Sequence, residues 1–139
     1  MFHEVVSKRT VVDDNGCDKE VSEKYLVENC ESCSEAEVSV MLYLNAENEV
    51  ISVKQTKLKE FVNARSNDEQ FIYISTIEDT YVDDSGKASQ IKYSVALFAT
   101  SVKEATQMTI DYMKQGLSDM SLTSVKKTKF VELLTYTHE

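Results

Sequence analysis

The chain has 139 residues, 42% hydrophobic and 28% charged. That fits one ordinary domain or two very small ones, and it is enough to bury a core without a disulfide or metal staple. Its 24 acidic and 15 basic residues leave a net charge of −9. The overall field therefore does not steer it onto nucleic acid, and solubility is a sufficient reason for the acidity.

In chain order, alternation and turn residues predict strands at 2–12 and 18–30, joined at Asn15-Gly16, where glycine supplies positive φ. Beside this turn, Asp13 and Asp14 read either as a metal or acid–base pair or as turn residues that keep the loop wet. Ser32-x-x-Glu35 is a capping box that opens a helix over 33–46, with Ala36, Val40, Tyr43 and Leu44 on one stripe. A strand at 48–62 and a short polar connector, 63–70, follow. The second half repeats this order. Strands at 71–82 and 88–100 flank Ser85-Gly86, with Asp83 and Asp84 beside it. Ser101-x-x-Glu104 caps a helix over 102–115, striped by Ala105, Met108, Thr109, Tyr112 and Met113, with Gly116 as its stop signal. A strand at 121–134 closes the pattern.

The repetition extends to wording. "VVDDNG" (11–16) matches "YVDDSG" (81–86), "SCSEAE" (32–37) matches "SVKEAT" (101–106), and "SVKQTKLKEFV" (52–62) matches "SVKKTKFVELL" (124–134). The offset moves only from 70 to 69 to 72. The expected fold is α+β: one domain, 1–139, made of two ββαβ repeats, 1–62 and 71–139. They are expected to form a mainly antiparallel six-stranded sheet with both helices on one face.

The last repeated block carries six of the fifteen basic residues: Lys54, Lys57, Lys59, Lys126, Lys127 and Lys129. A regular strand would turn two lysines per copy inward. A bulge between Val53 and Leu58, and again between Val125 and Phe130, would turn them out. These lysines are the candidate binding residues, as a strip for an anion or a nucleic-acid backbone. The alternative is protection of exposed sheet edges. A helix layer on one side only would also leave a second sheet face uncovered. In the run 91–98, Ile91, Tyr93, Val95 and Leu97 would point to the core, with Ala96 and Phe98 on the uncovered side, open to a partner or a second copy.

Catalytic signals are sparse. Cys30-x-x-Cys33 places a thiol at a helix N-terminus, as in a dithiol redox pair, but the second repeat has Thr100 and Val102 there. Zinc ligands would have to come from Cys17, Cys30, Cys33, His3 and His138, which lack a second close pair. With three glycines there is no phosphate loop, and no nucleophile elbow is present. We expect no enzyme activity, no cofactor and no metal. The longest uncharged stretch, 93–102, is about half a membrane span. No basic, apolar leader precedes the first strand, and three cysteines make an odd set suited to a reducing cytoplasm.

At "YLVENCESCSEAEVSV" (25–40) and "NEVISVKQTKLKEF" (48–61) the chain resembles a family of small Bacteroidetes proteins, also met in their phages, catalogued as a domain of unknown function (number 4494). The shared features are a strand ending Tyr-Leu-Val, a Ser-Glu-Ala-Glu helix start and a lysine-rich Glu-Val strand. The chain departs from that pattern in lacking a tryptophan near its first strand and in carrying Cys30 and Cys33. The resemblance implies a cytoplasmic bacterial or phage protein and transfers no catalytic residues. The expected role is a binding or accessory protein that meets a protein partner, a second copy of itself or a nucleic acid, away from membranes. Two other roles compete with it. One is an acidic nucleic-acid mimic that inhibits a DNA-binding protein, since residues 1–69 hold 15 acids and 8 bases. The other is a thiol redox or metal protein built on Cys30 and Cys33.

Overall fold

Each hairpin turn is organised by its first aspartate. Asp13 Oδ1 accepts the N–H groups of Asn15 and Cys17, both at 2.9 Å, and Asp83 Oδ1 accepts those of Ser85 and Lys87 at 3.0 and 2.9 Å. Gly16 and Gly86 supply the left-handed backbone that the turns need, with φ of 79° and 83°. The computed structural model describes residues 1–44, 48–116 and 119–137. The first turn joins β1 (His3–Val12) to β2 (Asp18–Glu28), and the second joins β5 (Phe71–Val82) to β6 (Ala88–Ala99).

The capping boxes start both helices where the serines predict. Ser32 Oγ accepts the Glu35 N–H at 3.3 Å, and Ser101 Oγ accepts the Glu104 N–H at 3.1 Å. Each glutamate reaches back one residue beyond its serine. Glu35 accepts the Glu31 N–H, while Glu104 accepts the Thr100 N–H and hydroxyl. The helices are α1 (Cys33–Leu44) and α2 (Val102–Met113). The expected extension of the first to 45–46 lies outside the described residues. Ala36 and Val40 on α1, and Ala105 and Thr109 on α2, are buried. Tyr43, expected on the inner stripe, is half exposed, with its ring edge-on to Tyr25 at 5.8 Å.

The expected six-stranded sheet is corrected: the described residues form eight strands in two separate four-stranded sheets. Each presumed third strand is really two strands. The first half contributes β3 (Glu49–Gln55) and β4 (Leu58–Phe61), and the second contributes β7 (Asp119–Lys127) and β8 (Phe130–Thr135). One sheet has the order β3-β1-β2-β8 and the other β4-β6-β5-β7. β3 and β7 pair antiparallel with their own hairpins, whereas β8 and β4 pair parallel with the hairpin of the other half. The chain thus divides into two compact units. Met1–Thr56 with Lys129–Glu139 makes the first, and Lys57–Thr128 makes the second.

The repeated Thr in "QTK" and "KTK" marks the point of departure. Thr56 gives its N–H and its hydroxyl to the carbonyl of Phe2, at 2.9 and 3.2 Å. Thr128 gives both to the carbonyl of Ile72, at 3.0 and 2.8 Å. Two bonds on one acceptor end the ladder, and the next residue leaves the unit. This break, not the expected bulge, is what interrupts the apolar alternation. Bulges do occur, but beside it: Ile51 and Thr123 are the extra residues of β3 and β7, and Lys59 and Val131 those of β4 and β8.

Each unit has its own helix and core. α1 covers Val5, Tyr25, Val27 and Cys30, with Val53 of β3 packed alongside. α2 covers Tyr73, Leu97 and Ala99, with Val125 of β7 in the corresponding place. A single helix layer shared by one sheet is therefore also corrected. So is the uncovered sheet face. Val95, Ala96, Leu97, Phe98 and Ala99 are all buried, so both faces of β6 are covered there. In the second unit Phe61 lies 4.9 Å from Phe98 and the Arg65 guanidinium 4.8 Å above its ring. Asn63 exchanges two hydrogen bonds with the Phe98 backbone, at 2.9 and 2.7 Å. The polar connector of the sequence is thus a lid on the sheet face.

Candidate functional site

All six candidate lysines are exposed, and all lie on or beside edge strands. In the first unit Lys54 is on β3 and Lys129 directly precedes β8, at opposite edges. In the second, Lys57 precedes β4 and Lys59 lies on it, while Lys126 and Lys127 lie on β7 at the far edge. Four strands at ~4.8 Å spacing put roughly 14 Å between those edges. Neither unit gathers its lysines into one strip. Two of them are engaged locally: Lys59 Nζ sits 4.2 Å from the centre of the Tyr93 ring, and Lys127 Nζ 3.8 Å from that of the half-exposed Phe71.

The cysteines do not form a reactive pair. All three are free; Cys17 and Cys33 are exposed and Cys30 is buried. The Cys30 thiol points to the carbonyls of Val27 and Glu28, and burial pushes its pKa up to about 11, the reverse of what a nucleophilic thiol needs. Among the described residues no group of three His, Cys, Asp or Glu side chains is placed to hold a metal ion, and His138 lies outside those residues. Asp13 and Asp83 are occupied by their turns. For Asp83 the hydrogen bond from Ser85 leads the causes that lower its pKa.

What sequence reasoning missed is a groove that each unit forms between its helix and the strand received from the other half. In the first unit Val38, Leu42 and Tyr43 of α1 face Leu134 and Tyr136 at the end of β8, around a volume of 670 Å³. In the second unit Met108, Asp111 and Tyr112 of α2 face Glu60 and Asn63 at the end of β4, around 420 Å³. The repeat offsets of 69 and 72 make these equivalent sites: Leu42 answers Asp111, Tyr43 answers Tyr112, and Leu134 answers Val62.

Their chemistry differs. The second groove sets Val62 and Met108 beside polar side chains that bond to one another. The Tyr112 hydroxyl donates to Glu60, and Gln107 donates to Asp111 at 3.1 Å. Burial first, then that bond to Glu60, raises the Tyr112 pKa, which keeps the phenol neutral. The first groove sets Val38, Leu42 and Leu134 beside the hydroxyls of Ser39, Thr135 and Thr137, and the side of α1 next to it is apolar and exposed. On α1, Val38 is 46% exposed, Met41 52%, Leu42 79% and Tyr43 52%. The sequence signal was available: α1 reads CSEAEVSVMLYL, apolar on every side over its last two turns, where α2 is amphipathic. A helix apolar all round needs cover on more than one side.

Residues 1–136 match the family described as Domain of unknown function (DUF4494), and the chain belongs to that family. No curated protein matches it. No helix among the described residues is long and apolar enough to cross a membrane.

Proposed function

We propose that this protein is a non-enzymatic binding protein that docks another protein in the α1/β8 groove. One observation carries this: the outer side of α1 presents Val38, Met41 and Leu42 to solvent, contiguous with a groove floored by Leu134 and Tyr136. Contiguous exposed apolar surface of this kind marks interaction sites on soluble proteins, since leaving it in water is unfavourable. On this reading the lysines of the edge strands serve to discourage sheet-to-sheet pairing.

A photo-crosslinking residue at position 42, with position 111 in the equivalent groove as control, tests the reading in cells that express the chain. A polypeptide adduct at position 42 that is missing at 111 is the expected result. A nucleic-acid adduct at 42, or adducts at 111 alone, would overturn it.

The charge distribution favours one further reading. The first unit holds 14 acidic and 6 basic residues and the second 10 and 9. The first unit is thus suited to mimic a polyanion in the basic cleft of a DNA-binding protein, by charge alone and without use of the groove.

A further inference from the structure

The exposed apolar ridge of α1 beside the groove sits in the most one-sided stretch of the chain. From Tyr25 to Val53 there is no lysine or arginine, and there are six glutamates: Glu28, Glu31, Glu35, Glu37, Glu47 and Glu49. Residues 130–137 add Glu132 and no cation. Helical spacing puts Glu35 one turn before Val38 and Ser39, at the N-terminal end of the groove. Glu37 is exposed one turn before Met41, on the far flank of the apolar ridge. The N-terminal ammonium lies near Glu35, since both act on His3 and Cys30, and two lysines stand at the other end of the groove strand. Lys129 precedes β8, and Lys24 pairs with Glu4 at 2.9 Å beside Phe130.

An occupant must therefore satisfy two conditions: bury against an apolar ridge, and bring positive charge to a carboxylate rim. A second copy docking through its own first unit would bring net −8 to this rim, a poor electrostatic match. An anionic lipid surface or a nucleic acid is likewise a poor match. A helix 12 residues long spans about 18 Å, enough to lie beside a partner helix of three turns.

Resting on the reading above, we propose that the α1/β8 groove binds a cationic amphipathic helix of a partner protein. Its apolar face would lie on Val38, Leu42, Tyr43 and Leu134, with its lysines or arginines toward Glu35 and Glu37.

The test uses the full chain and three labelled synthetic helices of about four turns. One is built from leucine and lysine, one has glutamate for every lysine, and one has serine for every leucine. Fluorescence anisotropy reads binding, at low salt and again at about 0.5 M. Only the leucine–lysine helix is expected to bind, several-fold more weakly at high salt. Leu42→Ser is expected to weaken it about tenfold or more. Asp111→Ser, in the other groove, is expected to leave it unchanged. Leu42 is too exposed for its loss to unfold the chain, and circular dichroism of the variant checks this. Equal binding of the serine–lysine helix, or an unaltered affinity in Leu42→Ser, would overturn the proposal in favour of pure charge mimicry. Equal binding of the leucine–glutamate helix would overturn the cationic specificity while leaving a protein-binding groove in place. Self-association abolished by Leu42→Ser would make a second copy the occupant and overturn it as well. Binding of none of the three would end the proposal, and the crosslink at position 42 would then judge the broader reading independently.

Discussion

The two units are built from the same parts in the same sheet order, yet equivalent positions carry different chemistry. Under the helices, Val5 and Val40 of the first unit correspond to Ser75 and Thr109 of the second. The first pair is an apolar contact zone, and the second is a buried hydrogen bond of 2.8 Å. At the end of the second hairpin strand, Glu28 corresponds to Phe98, the residue capped by Phe61 and Arg65. In the grooves, Leu42 corresponds to Asp111. The backbone plan tolerates either polarity at these sites. At these sites the second unit pairs its polar groups internally. The first leaves an apolar ridge for something else to cover.

Substitutions that separate the units sharpen this comparison. The largest effect is expected for Phe98→Ala, which empties the site between Phe61 and Arg65; about 3–5 kcal/mol of stability should be lost in denaturant unfolding. The equivalent Glu28→Ala removes a hydrogen bond from the Thr135 hydroxyl and should cost about 1 kcal/mol or less. Equal costs would mean that the units do not differ there.

The crossings should behave alike. Thr56→Val and Thr128→Val each lose one hydroxyl bond while keeping the backbone N–H, and each should cost about 1 kcal/mol by the same measurement. A large disparity would break the equivalence of the two pins.

The buried hydroxyl pair yields a subtler contrast. Ser75→Val alone strands one side of the bond, although Thr109 also donates to the Ala105 carbonyl at 2.8 Å, so the cost should be about 1 kcal/mol. Ser75→Val with Thr109→Val rebuilds the apolar pair of the first unit and should be near neutral. A double variant worse than the single would show that the unit needs its polar pair.

The smallest effect at neutral pH concerns His3, which corresponds to Tyr73. His3 is buried, and its Nδ1 meets no hydrogen-bond partner among the described residues. Burial first, then the nearby N-terminus, lowers its pKa below 6.5, against an opposing pull from Glu35. The unfolded chain therefore binds the proton more readily. The stability that neutral His3 allows is intact above about pH 6.5 and is lost as pH falls through that value toward the lower folded one. His3→Leu should remove this component of the acid sensitivity, read as the midpoint of denaturant unfolding against pH.

Much of the local structure was legible because its causes are short-range. Asp13 and Gly16, or Ser101 and Glu104, lie within a few residues of the groups they bond, so the residue types alone identify the turn and the cap. The lysine blocks were legible as an interruption, since six lysines within two strand-like segments break the apolar alternation. Their division between opposite sheet edges was not. The grooves were hidden for a related reason: Leu134 and Val62 look like ordinary strand residues until the neighbouring helix is known.

By itself the sequence determined the repeated order of elements, their turns and caps, and the acidity concentrated around the first helix. Only the tertiary structure decided that β4 and β8 change places between the sheets, so that the repeats of the sequence are not the units of the fold. A strand's alternation records which side of it is buried but not whose edge it joins, because backbone hydrogen bonds are the same for every partner. That choice rests on long-range packing, and it creates the groove on which the proposed binding depends.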